Sequence, residues 1–454
     1  MRYNVESSDV NSFWIRYLPT SVFRRLDGRQ SAQKVIANAG WLSADKIIRL
    51  AVGLVVGTWV ARFLGRDQFG SLSYAVAFVS LLGAVTTLGL DGIVIRELVR
   101  HPERKDEILG TTFVAKLAGG FLTLVLSLSV ILLLRPGDSL LHSLVGVLAL
   151  GTVFQSFDTI DFWFQSRVES RFGVFAKNST FLIVAAFKVS LILMHAPLFA
   201  FALAGSLEIF LGAIGLLVAY KKSGQHLFAW KVNSDRARQL VREGWPLALA
   251  SMAVMVYMKI DQIMLGQMIG LREVGIYGAA LRFSEVWYFI PVSLVASVAP
   301  SLTTARKTST ILYYARLENL FRLLVGIALV IAIPMTFVSG YLARTFYGPG
   351  YESAGPVLAI HIWAAPFVFL GVAQSPWTLN EGLTKLALAR AACGAVINVL
   401  LNLVLIPTHG AVGAAVATTI SYAMSAVVLN AFNSRTRRIF FMQLRAMLVV
   451  PTRR

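Results

Sequence analysis

The chain buries ionisable side chains inside long apolar runs. Lys188, Glu208, Lys259, Asp261, Arg282 and Glu285 lie deepest, while Lys46, Arg49 and Lys116 fall nearer the ends of their runs. An ionised group at the centre of a bilayer costs at least a few kcal/mol, so such groups face a bundle interior or a wet cavity. Two roles are open to them. They pair with one another across helices, or the cations line a cavity and neutralise an anion. Phosphate suits the second role, because Arg offers a fork of donors and Lys a compact point charge.

Spacing supports both. A hairpin turns near residue 196, which puts Lys188 and Glu208 about 12 and 18 Å from the turn at 1.5 Å per residue, close enough to meet. Asp261 and Arg282 have similar depths on either side of a turn near residue 271. Arg282 and Glu285 are three residues apart and Asp45 and Arg49 four, so each pair shares a helix face. The anion-binding reading assigns Lys46, Arg49, Lys188, Lys259 and Arg282 to the substrate. Glu208, Asp261 and Glu285 then serve coupling ions or protons, or hold the cations between substrates. Asp158 and Asp161 fall near a span end, where interfacial solvation also accounts for them; Asp91, Arg96 and Glu97 read as structural.

The elements that position these groups are membrane helices. Hydrophobic residues make up 56% of the chain and charged ones only 14%, where a soluble domain carries nearer a quarter. Twelve spans are predicted, near 38–62, 69–95, 108–134, 140–164, 174–195, 197–220, 243–268, 274–303, 317–344, 353–379, 383–406 and 410–434. Gly, Pro and charged residues punctuate them, as in Arg135-Pro136-Gly137-Asp138 and Tyr347-Gly348-Pro349-Gly350. Each is long enough to cross roughly 30 Å of hydrocarbon. The expected fold class is therefore all-α and polytopic.

Charge sets the orientation. Roughly 29 Lys and Arg fall in the tails and even-numbered connections against about 5 in the odd-numbered ones, so both termini are expected in the cytoplasm. That pattern also explains the net charge of +19, since the basic residues form no nucleic-acid-binding face. Residues 1–37 contain no long apolar core and do not read as a signal peptide. Their Ser12 to Leu18 stretch mixes aromatics with Arg16, which fits either an interfacial helix or a solvated cytoplasmic tail.

An internal echo divides the chain. Gly65, Gly70 and Ala75 recur about 205 positions later as Gly270, Gly275 and Ala280, six spans on, which describes a parallel repeat. The expected layout is a tail over 1–37, a six-helix lobe over 38–220 and a linker over 221–242. A second six-helix lobe over 243–434 and a basic cytoplasmic tail over 435–454 complete it. Gly53 and Gly57 form a small-residue face that reads as helix packing. His361 reads as a hydrogen-bonded helix contact, and Cys393, the one cysteine, as a small lipid- or helix-facing residue.

No metal motif, nucleophile elbow, phosphate-binding Gly-Lys-Ser/Thr loop or dinucleotide fingerprint is present, so no catalytic, metal or cofactor site is assigned. Transport without a nucleotide-binding segment must draw on a gradient or on the membrane potential. H+ and Na+ are the candidate coupling ions.

Three strings carry a family resemblance. Ala61-Arg62-Phe63-Leu64-Gly65-Arg66-Asp67-Gln68-Phe69-Gly70 resembles the first loop of Wzx-type polysaccharide flippases, of the multidrug/oligosaccharidyl-lipid/polysaccharide exporter superfamily. Lys259-Ile260-Asp261-Gln262-Ile263-Met264-Leu265-Gly266, followed by Val274-Gly275-Ile276-Tyr277-Gly278-Ala279-Ala280, is similar to that family's span 7–8 region. Asn398-Val399-Leu400-Leu401-Asn402-Leu403-Val404-Leu405-Ile406-Pro407 with Gly410-Ala411-Val412-Gly413-Ala414-Ala415 resembles its span 11–12 signature. The similarity extends over about 38–430.

The resemblance implies two pseudo-symmetric six-helix lobes around a central cavity in a bacterial inner membrane. It implies an undecaprenyl-diphosphate-linked oligosaccharide as substrate, flipped to the periplasmic leaflet by alternating access, with membrane lipids and other polysaccharide assembly proteins as partners. Surface glycans such as O-antigen, capsule or exopolysaccharide would be the destination. Related lipid II flippases use basic residues in the opening spans of both lobes, but their local motifs do not match here residue by residue. A cation-coupled drug antiporter of the same superfamily is the alternative, and it predicts a cavity of acids and aromatics. A membrane glycosyltransferase or polymerase is a further one, for which the short periplasmic loops leave little room.

Overall fold

The computed structural model describes the backbone of residues 30–448, and side chains from Ile48 to Leu448 except Val85 and Ala250. Every described secondary element is helical. Among the described residues, ten segments are long and apolar enough to cross a membrane. Two of them hide a reversal. The helix Gln30–Thr87 is broken at Gly65 (φ 67°), and Thr384–Ala426 is broken at Gly410 (φ 54°), three residues after Pro407. A positive φ is open to glycine at little cost and strains other residues. Counting each broken helix as two, the chain crosses twelve times and is a polytopic membrane protein.

Span 6 ends as helix at Lys222 and span 7 begins as helix at Ser234, with Asn233 accepting from the backbone amides of Asp235 and Arg236. The side chains of Lys46 and Asp45, although on a helix, lie outside the described residues.

The repeat is visible in the packing. A Cβ on Gly70 would strike the carbonyl of Leu271, and a Cβ on Gly275 would strike the carbonyl of Arg66. Arg66 and Gly70 correspond to Leu271 and Gly275 in the repeat, so these are the two exchanged halves of one two-fold contact. Spans 4 and 10 are likewise equivalent, and each is interrupted by a 3-10 turn, at Phe154–Phe157 and Ile362–Ala364.

The turns at Gly65, Arg135, Gly270, Gly348 and Gly410 share one end of the molecule, here the Gly65 end; the opposite one is the linker end. At the Gly65 end the lobes form one core, in which Val60, Phe69, Leu144 and Phe201 join Ile263, Tyr277, Tyr351 and Ile406. Tyr351 donates to the Ala61 carbonyl at 2.9 Å, Arg66 to the Gly350 carbonyl at 3.0 Å, and Arg135 to the Gly266 carbonyl.

Toward the linker end the cores separate. Leu90, Ile93, Ile160, Trp163 and Tyr220 cluster in the first lobe, and Leu302, Tyr313, Phe321, Phe369 and Ile439 in the second. The foot of span 7 ties the second lobe to the first there. Glu243 meets Arg96 at 2.6 Å, and Arg236 meets Glu97 at 3.4 Å. The interior is therefore closed at one end and strapped, rather than sealed, at the other.

Candidate functional site

Span 1 reaches the lobe interface with glycine at two positions one turn apart. Gly53 faces the ring of Phe181, and Gly57 faces the guanidinium of Arg282 at a distance no Cβ would permit. The small residues thus let spans 5 and 8 approach span 1, as the sequence reading of helix packing expects, and they also border a space. That space is a cavity of ≈ 370 Å³ between the lobes. Spans 1, 2, 4, 5 and 6 wall it on one side and spans 7 and 8 on the other, and its ionisable lining is Lys188, Lys259, Arg282 and Glu285.

Two of these cations have carboxylate partners at loose distances. Lys188 Nζ lies 3.5 Å from Glu208, across the span 5–6 hairpin, and Lys259 Nζ lies 3.5 Å from Glu285. All four side chains keep about a quarter of their surface exposed, so water reaches both pairs. Such pairs are easily exchanged for another anion. Arg282 differs. It lies 5.2 Å over the Phe69 ring and, among the described residues, has neither an ion pair nor a hydrogen bond. A guanidinium with its donors unused beside a cavity is a ready anion receptor.

Glu208 also forms a wall of an adjoining pocket of ≈ 170 Å³ in the first lobe, with Arg49, Asp158 and Lys177. Arg49 lies 3.7 Å from Glu208, donates to the Lys177 carbonyl at 2.8 Å and to Asn178 at 3.2 Å, and covers Phe181. Lys177 bridges Asp158 at 2.9 Å and Asp161 at 2.8 Å. Arg49 therefore stands beside the central cavity, linked to it by the Phe181 ring and by Glu208, which it shares with Lys188. Lys116 stands apart, buried, with Asp91 at 3.8 Å and the ring of Phe162 at 4.6 Å.

Asp261 does not meet Arg282, although similar depth suggested it. The carboxylate is buried and turned into the second lobe, accepting from Tyr277, from Thr418 at 2.9 Å and from the Gln262 amide at 2.9 Å. Depth along a helix says nothing about rotation around it, and Asp261 and Arg282 leave spans 7 and 8 in different directions. Beyond Thr418 the network continues through Asn398, which donates to Ser421 at 3.1 Å and accepts from Asn402 at 3.0 Å. The Asn402 side-chain oxygen is buried with no partner. Sequence reading missed these polar neighbours of Asp261. The Asn398/Asn402 spacing of one helical turn was the available signal. Glu285 and Arg282 share the cavity face without pairing, and His361 is hydrogen-bonded at 2.8 Å to Ser284, as a helix contact should be.

The sequence model of the family described as polysaccharide biosynthesis protein matches residues 35–305, more than half of the chain. The chain belongs to this polysaccharide biosynthesis protein family. This agrees with the resemblance carried by its three strings. A second family model, MatE, matches residues 246–404. The family member is 29% identical over 199 residues to the probable flippase AglR of Haloferax volcanii, an alignment that covers 41% of this chain and 39% of that protein. It thus matches well under half of that relative's length.

Among solved structures it resembles the lipid II flippase MurJ in an inward closed conformation, with TM-score 0.72, 14% identity, and 91% and 93% of the two chains covered. An inward-facing multidrug resistance MATE family transporter gives TM-score 0.70 at 15% identity, covering 89% and 96%. An outward-facing one gives 0.62 at 13%, covering 92% and 97%. At these identities the likeness concerns the fold: two six-helix lobes around a central cavity.

Proposed function

We propose that the protein is a flippase that carries an undecaprenyl-diphosphate-linked oligosaccharide from the cytoplasmic to the periplasmic leaflet of a bacterial inner membrane. The observation that carries this reading is the unpartnered guanidinium of Arg282 at the wall of a cavity between the lobes. Across the cavity and its adjoining pocket, Arg49, Lys188, Lys259 and Arg282 face the carboxylates of Glu208 and Glu285. With Lys177 and Asp158, which pair with each other in the adjoining pocket, five cations against three carboxylates leave two positive charges. A diphosphate esterified at both ends carries about two negative charges at neutral pH, so the balance suits it. A drug antiporter for cations would place its substrate beside an unneutralised arginine, which the same charge balance disfavours.

In this reading Lys188, Lys259 and Arg282 receive the diphosphate, with Arg49 and Lys46 supporting the approach, while the sugar occupies the cavity and the lipid tail stays in the bilayer. Glu208 and Glu285 take back their lysines when the substrate leaves. Asp261 is the coupling residue, linked to H+ or Na+. The Gly65 end is periplasmic and the linker end cytoplasmic. Two observations support that orientation: the excess of Lys and Arg at the linker end, and the higher score against inward-facing than outward-facing relatives. The lobes extend over 38–220 and 243–434, joined by 221–242. Other polysaccharide assembly proteins are partners.

Loss of the protein should leave its lipid-linked glycan on the cytoplasmic leaflet. Probing spheroplasts with an impermeant glycan-specific lectin tests this. Normal periplasmic labelling after deletion, in a strain with no second flippase, would sink the reading.

A further inference from the structure

At the linker end of the second lobe, a helix outside the twelve spans presents an unusual face. Residues Arg437–Met447 form a helix whose Ile439, Met442, Gln443 and Ala446 are buried. Gln443 is fixed to Asn430 at 3.0 Å and to Gln374 at 3.3 Å, and Thr436 donates to the Asn430 carbonyl at 2.8 Å. These bonds hold the helix against the lobe. Its outer stripe is Arg438, Phe441, Arg445 and Leu448, at helical spacing, alternating cation with exposed hydrocarbon.

The stripe and the first turns of span 9 enclose a groove of ≈ 590 Å³. Ile311 (84% exposed) and Phe441 (52% exposed) stand on it, and Arg437, Arg438 and Arg445 line it. Among the described residues none of the three arginines has a carboxylate partner, because the one acid in the groove, Glu318, is held by Arg322 at 2.8 Å. The Arg438 guanidinium carbon lies over the Tyr314 ring, 3.4 Å from its centroid. Ser309 caps span 9, so the groove lies against the first turns of that helix.

We propose that this groove binds the phosphate headgroup of an anionic phospholipid from the adjoining leaflet. Arg437, Arg438 and Arg445 contact the phosphate, and the acyl chains run over Ile311 and Phe441. An amphipathic helix with cations beside exposed apolar residues lies in the plane of such an interface. The groove shares no lining residue with the central cavity, so the site is distinct from the transport path.

The test uses the full chain purified in neutral detergent, with phosphatidylglycerol binding counted by native mass spectrometry against phosphatidylcholine. The wild type should prefer phosphatidylglycerol. The Arg438→Gln/Arg445→Gln double variant should bind it roughly tenfold or more weakly, as expected for two interfacial charges. Arg445→Gln alone, at an exposed position that burial does not depend on, should lose several-fold. An R438K/R445K variant should retain much of the preference. Equal phosphatidylglycerol binding by wild type and both Gln variants overturns the proposal. So does displacement of the lipid by an equal concentration of glycerol phosphate, which would assign the groove to a soluble anion.

Discussion

The guanidinium of Arg282 rests against the bare Cα of Gly57, filling the volume that any side chain there would need. One residue from each lobe thus sets the geometry of the cavity wall. Gly57→Ala should push Arg282 out of place while leaving a helix-compatible residue in span 1. Transport is expected to fall about tenfold or more, the scale of a displaced charge-assisted hydrogen bond. Expression should stay near normal. A flipping assay in proteoliposomes checks this, and full activity in Gly57→Ala would remove Arg282 from the site.

Glu208 is shared by Lys188 at 3.5 Å and Arg49 at 3.7 Å. Neutralising it as Glu208→Gln removes this carboxylate from both cations at once. Diphosphate-lipid binding should then tighten by a few-fold, since partly exposed pairs are worth about 1 kcal/mol or less. Turnover should slow, because no carboxylate recovers the lysine when substrate departs. Equilibrium binding and initial flipping rates, measured on the same preparation, separate the two effects. Weaker binding would contradict the competition.

The closed state at the Gly65 end depends on glycine at positions 70 and 275. Gly275→Val would drive a side chain into the Arg66 carbonyl, and backbone cannot yield as a flexible side-chain tip can. The lobes should part at that end. Spin labels at Gln68 and Arg272, both exposed, in a Cys393→Ser background should report a longer and broader distance distribution than in the unsubstituted protein. An unchanged distribution would show that the reciprocal glycine contact does not hold the gate.

Asp261 accepts hydrogen bonds from Tyr277 and Thr418 inside the second lobe. Asp261→Asn preserves the shape and removes the charge. If Asp261 is the coupling residue, flipping by the variant loses its dependence on the imposed H+ or Na+ gradient, and slows at least tenfold under the full gradient. A retained gradient dependence excludes this role.

Much of this architecture was legible in the chain. Apolar runs between Gly, Pro and charged residues mark the spans, and Gly65 and Gly410 signal reversals because a positive φ favours glycine. The contact between Lys188 and Glu208 followed from hairpin arithmetic, since two residues at matched depth in adjacent antiparallel spans are neighbours. The partners of Asp261 did not follow. Thr418 lies on span 12, 157 residues away in sequence, and rotation about span 7 decides whether the carboxylate turns toward Arg282 or away. Lys177 escaped attention because its partners, Asp158 and Asp161, are on a different span. In Arg437–Met447 the arginines obscure an apolar face that only packing reveals.

Binding of undecaprenyl diphosphate, compared with uncharged undecaprenol, tests the cationic cavity most directly. The measurement is made on the purified wild type and on a Lys188→Gln/Lys259→Gln/Arg282→Gln variant that retains wild-type thermal stability. The wild type should prefer the diphosphate about a hundredfold, as several charge-assisted bonds would give, and the variant should show little preference. An equal preference in both proteins would contradict the cationic cavity.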